Sequence, residues 1–121
     1  FLGALDAARL DAEYRAADVF VLGSRPGQEC FSNATLEAMS HGLPVVATRV
    51  GALPDMIAPE WLVPPDDHGA LAATLERLLR DATLRATAGG ENLRRAGQEF
   101  SVERLQRAYA AIAGQLVERV A

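Results

Sequence analysis

Residues 18–48 read DVFVLGSRPGQECFSNATLEAMSHGLPVVAT. The segment opens on Asp18-Val19-Phe20-Val21-Leu22, a short apolar run that stops at Gly23. It lacks polar alternation, which predicts a strand buried on both faces, as in a parallel sheet. Ser24-Arg25-Pro26-Gly27-Gln28 is turn chemistry. A short helix is expected from about Asn33 to Ser40, closed by His41 with Gly42 at C′ and Pro44 beyond. Val45-Val46-Ala47-Thr48 then reads as a second buried strand. Strand, glycine-bearing loop, helix and strand follow one another within 31 residues.

The flanks continue the alternation. Upstream, Phe1-Leu2-Gly3 suggests the last part of a strand. Asp6 to Ala17 suggests a helix, with Leu10, Tyr14 and Ala17 at helical spacing and Asp11–Arg15 as an i,i+4 pair. Downstream, Gly51–Pro54 is a turn, Leu53–Ile57 one helical turn, and Trp61-Leu62-Val63 a third strand. Asp66-Asp67 follows Pro64-Pro65 and supplies an N-cap. The next helix carries Leu71, Leu75, Leu78 and Leu79 on one face. Another runs from about Thr83 to Gln98, weakened by Gly89-Gly90. Ser101 caps the last, with Val102, Leu105, Tyr109, Ile112, Leu116 and Val120 at steps of three and four. This pattern specifies an α/β architecture with a mostly parallel sheet.

Composition bounds the function. The chain has 121 residues, 50% of them hydrophobic and 23% charged, the balance of one globular domain with a real core. No apolar run is long enough for a membrane span. A net charge of −4 argues against nucleic-acid binding. All basic residues are arginines, which we read as a composition bias, such as that of a GC-rich bacterial genome. The single Cys30 forbids an internal disulfide framework. A cytoplasmic location is expected. Phe1 is not a start methionine and reads as a cut edge.

In parallel α/β sheets the ligand crevice lies at the carboxyl ends of the strands, where helix N-termini suit phosphate. Phe31, Ser32, Asn33 and Ala34 would sit at such a helix start. Glu29 and Glu37 bracket it, eight positions apart. Two readings are open. Both acids can be solvated, one in a loop and one on an amphipathic helix. Alternatively Glu37, which interrupts Leu36, Ala38 and Met39, is partly buried and accepts hydrogen bonds from sugar or ribose hydroxyls.

The stretch from Glu29 to Thr48 resembles the E-x7-E signature of retaining glycosyltransferases with the GT-B fold, more narrowly family 4, the glycosyltransferase group 1 family. Three further stretches resemble the same family: Tyr14–Val21, Gly51-Ala52-Leu53-Pro54-Asp55 and Leu62–Asp67. The resemblance implies a Rossmann-like C-terminal donor domain, present in part, that binds a nucleotide diphosphate sugar and transfers a hexosyl unit with retention. It implies that Glu37 holds the ribose hydroxyls. Glu29 would lie beside the donor sugar in a positioning and electrostatic role. Amides at Phe31, Ser32 and Asn33 would contact sugar or diphosphate. No metal or organic cofactor is implied. An N-terminal acceptor domain, and the arginine–lysine pair that neutralises the diphosphate, are expected outside this sequence. The parent enzyme is expected in the cytoplasm or at the inner membrane face. The isolated chain is expected to be inactive and to self-associate through its last helix. The alternative is a non-catalytic α/β ligand-binding or assembly module that keeps the loop.

Other candidates have plainer readings. His41 caps a helix end. Asp66-Asp67-His68 lacks a spaced further ligand for a metal. Arg25 and Arg49 are solvated, Cys30 lacks a catalytic partner, and Trp61 is core.

Overall fold

Every residue of β2 (Val45–Thr48) is buried, and the strand lies at the centre of a three-stranded parallel sheet. The computed structural model describes residues 1–120, with the side chains of residues 1–115. β1 (Phe20–Leu22) pairs with β2 through Phe20–Val45, Val21–Val46 and Leu22–Ala47. β3 (Leu62–Val63) pairs on the other side through Ala47–Leu62 and Thr48–Val63. Side chains alternate across a strand, so Val45 and Ala47 enter one core and Val46 the other. That is why the run is continuously apolar.

The helices are α1 (Ala7–Ala16), α2 (Asn33–Ser40), α3 (Leu53–Met56), α4 (His68–Arg80), α5 (Ala82–Glu99) and α6 (Val102–Val120). Tyr14 of α1, Met39 of α2, Leu53 and Met56 of α3 and Ala96 of α5 fill the first core. Leu78 of α4 and Ala88 of α5 join Trp61 and Val63 in the second. Asp6, Ser32, Asp67 and Asp81 each cap a helix by accepting an amide N–H, so short polar residues set four helix starts. Glycine sits at C′ of α2, where Gly42 has φ +71°.

Several expectations need correction. Phe1-Leu2-Gly3 is irregular, because no strand among the described residues pairs with it. β1 is covered on one face only: Val21 is 42% exposed, since α4 packs against β2 and β3. Trp61 belongs to a 3-10 turn (Pro59–Trp61) and not to β3, although it is core as expected. Leu79 is 60% exposed, rotated off the face that buries Leu78. Ala17 and Leu10 are exposed, leaving Tyr14 as the one buried residue of α1. On α6, Val102, Leu105, Tyr109 and Ile112 are all exposed, while Leu116 and Val120 lie outside the residues whose side chains are described.

Candidate functional site

Parallel strands deliver their following loops to one edge of the sheet, and here all three loops meet there. The β2 end ties down the β1 loop. Thr48 Oγ1 donates to the Ser24 carbonyl at 2.6 Å. The Ala52 amide donates to the Cys30 carbonyl at 2.9 Å. Gly51 has φ +54°, and a Cβ there would collide with the Glu29 carbonyl and lie 3.2 Å from the Cys30 oxygen. Only glycine lets the two backbones come this close.

The loop ends at the buried Ser32, whose Oγ accepts the Thr35 amide at 3.2 Å and starts α2. Asn33 and Ala34 are exposed, and their amides, in the first turn, have no intrahelical acceptor. Phe31 is half exposed, its ring 5.9 Å from that of Phe100. This start offers an anion both unpaired donors and the positive end of the helix dipole.

Glu29 is half-buried, and Ser24 Oγ donates to its Oε2 at 3.3 Å. Glu37 is exposed, as in the solvated reading and not the partly buried one. It lies in the second turn of α2 and its Oε2 accepts from the Tyr14 hydroxyl at 3.2 Å. Each carboxylate thus accepts one hydroxyl of the protein, Glu29 from Ser24 and Glu37 from Tyr14.

Sequence spacing placed Tyr14 on one face of a helix and gave its hydroxyl no role. Its hydroxyl was the missed signal, since a buried tyrosine needs a polar partner at its tip. The ring stacks on His41 with centroids 4.9 Å apart. His41 lies at the α2 C-cap, with Nδ1 2.8 Å from the Glu37 carbonyl and Nε2 2.8 Å from Asp11 Oδ1. Both partners accept only, so both bonds form when the ring is the imidazolium. Asp11 and then the Glu37 carbonyl raise the His41 pKa. Asp11 is held at about 2, chiefly by its hydrogen bonds from Arg15 and then His41. Burial and then Glu37 raise the Tyr14 phenol.

The remaining candidates do not converge. Asp67 caps α4 by accepting the Ala70 amide at 2.9 Å. Asp66, at φ 60°, pairs with Arg25 at 3.6 Å on the surface. These acids and His68 line a cavity of only 90 Å³ beside Gly23 and Thr48. Among the described residues no group of acids, histidines and cysteine is placed to hold a metal ion. Cys30 and Arg49 are exposed. No described helix is long and apolar enough to cross a membrane.

A Rossmann-like parallel sheet with flanking helices, and a helix start at its carboxyl edge, define an α/β domain of the ligand-binding type. The family model for glycosyl transferases group 1 matches residues 1–81, and the chain belongs to that family. It is 37% identical over 97 residues to the MMP alpha-(1->4)-mannosyltransferase of Mycolicibacterium hassiacum, covering 77% of this chain and 24% of that protein. It is 36% identical to the phosphatidyl-myo-inositol mannosyltransferase of Mycobacterium leprae, covering 93% of this chain and 32% of that one. Sucrose-phosphate synthase from Thermosynechococcus elongatus superposes with a TM-score of 0.85 at 34% identity, over 98% of this chain and 30% of the synthase. Anabaena HepE in complex with UDP superposes at 0.78 and 25% identity, over 85% and 29% of the two chains. The chain therefore spans about a quarter to a third of these relatives.

Proposed function

We propose that this chain is the donor-binding part of a retaining, family 4 glycosyltransferase that moves a hexosyl unit from a nucleotide diphosphate sugar to an acceptor. The observation that carries the reading is the capped start of α2, with Glu29 held in the loop before it and Glu37 on the helix itself. In this reading the first-turn amides from Phe31 to Ala34 bind diphosphate and sugar oxygens. Glu37 accepts the ribose hydroxyls. Glu29 accepts donor-sugar hydroxyls and, as a fixed negative charge, stabilises positive charge developing at the sugar. The chemistry uses no metal or organic cofactor.

The acceptor would bind a separate N-terminal domain, so the 121 residues alone give no turnover. The parent protein is bacterial and works in the cytoplasm or at the inner membrane face. The UDP held by HepE supports nucleotide binding here.

Calorimetric titration of the chain with UDP, GDP and ADP tests the site. At least one binds, and Glu37→Ala abolishes that binding with an unchanged circular dichroism spectrum. Undiminished binding by that variant rejects the ribose role. Sugar transfer at full enzymatic rate by the isolated chain rejects the division of labour.

A further inference from the structure

Glu37 is an exposed carboxylate on a long side chain, which ordinarily samples many rotamers and loses entropy when a ligand fixes it. Here one oxygen is already tethered. The Tyr14 hydroxyl reaches both Glu37 Oε2, at 3.2 Å, and the Ala34 carbonyl, at 3.4 Å. Tyr14 is only 9% exposed, its ring stacked on His41 and 6.1 Å from the ring of Phe20. His41 is itself fixed at both ring nitrogens, by Asp11 of α1 and by the backbone carbonyl of Glu37. Thus α1 grips α2 at the Glu37 carboxylate through Tyr14 and at the Glu37 carbonyl through Asp11 and His41. A cavity of 190 Å³ lined by Leu10, Asp11, Tyr14, Glu37 and His41 opens beside the carboxylate.

We propose that Tyr14 is a positioning residue for nucleotide recognition: it fixes one oxygen of Glu37 so that the other is presented to the ribose diol of a nucleoside diphosphate. The inference rests on the ribose role proposed above for Glu37. Tyr14 does not touch the ligand itself. Its effect passes through the carboxylate and depends on the hydroxyls that the carboxylate reads.

The test compares the tightest-binding of UDP, GDP and ADP with its 2′,3′-dideoxy counterpart, by calorimetry on the whole chain. Tyr14→Phe keeps the ring and removes the tether. It should weaken the ribonucleotide about threefold to tenfold, the range of one lost hydrogen bond, and leave the dideoxynucleotide unchanged. Glu37→Gln should show a ribose-selective loss as well, and the double variant should be no weaker than Glu37→Gln alone. Equal weakening of both nucleotides by Tyr14→Phe, or no weakening, overturns the inference. If Glu37→Gln also changes nothing, the site reading falls with it; if Glu37→Gln weakens binding and Tyr14→Phe does not, only the tether falls. A second readout needs no nucleotide. In a Tyr109→Phe background Tyr14 is the one tyrosine, and Glu37→Gln should lower its ultraviolet-detected ionisation midpoint. An unmoved midpoint overturns the contact.

Discussion

Gly89 and Gly90 are neighbours in the middle of α5, and replacing each with alanine should move stability in opposite directions. A Cβ at Gly90 meets nothing within 4 Å. Gly90→Ala therefore shows only the helix-propensity gain, about 0.5–1 kcal/mol. At Gly89 the same Cβ would overlap the Gly42 carbonyl oxygen, lie 3.0 Å from its carbon and crowd Pro44 Cδ at 3.4 Å. Relief requires α5 to withdraw from the loop between α2 and β2. That loop is also held by Asn92, whose buried Nδ2 donates to the Leu43 carbonyl at 2.8 Å. Overpacking costs about 1–3 kcal/mol, and stranding that buried bond about 1–3 kcal/mol more. Less the propensity gain, Gly89→Ala loses roughly 1–5 kcal/mol. Urea denaturation followed by circular dichroism reads both variants, with a midpoint shift at constant slope. Two shifts of the same sign would falsify the view that Gly89 is there for backbone contact.

Three further outcomes follow from the geometry. Gly51→Ala forces the Glu29–Cys30 backbone away from the β2 loop, so it should weaken nucleoside diphosphate binding in calorimetry while α-helical content persists; unchanged affinity contradicts the proposed loop anchoring. The raised His41 pKa contributes stability that is full below the ordinary 6.5 and is lost as pH rises through the folded value, whereas Asp11 contributes above 3.8 and is lost as pH falls through about 2. Melting temperature across pH should therefore decline on the alkaline side of that window, and His41→Gln should flatten the decline; an unaltered profile rejects the ion pair. Exposed Val102, Leu105, Tyr109 and Ile112 on α6 are expected to drive self-association at high concentration, abolished by Leu105→Glu with Ile112→Glu; light scattering that shows a clean wild-type monomer refutes it.

Much of the site was legible from local rules. Gly42 at C′ and the bounds of α2 needed only residue type and spacing. The tether on Glu37 was not legible, because Tyr14 is 23 positions away and an apolar stripe does not show where a hydroxyl points. The exposure of Glu37 decides between the two readings that its apolar neighbours leave open. Apolar neighbours in sequence lie on other faces of a helix, with Ala38 and Met39 turned to the core and Glu37 turned toward α1. Val21 was misread because continuous hydrophobicity signals two covered faces, while coverage depends on which helix lies over which strand.

The sequence alone determined the strand–helix alternation, the parallel sheet and the placing of two glutamates around one helix start, because capping, turn chemistry and apolar runs act over a few residues. The tertiary structure decided which residues hold that site together. Gly51 beneath Glu29, Tyr14 on Glu37, and Asp11 and His41 behind them are contacts between segments distant in sequence, and only packing brings such segments within hydrogen-bond reach.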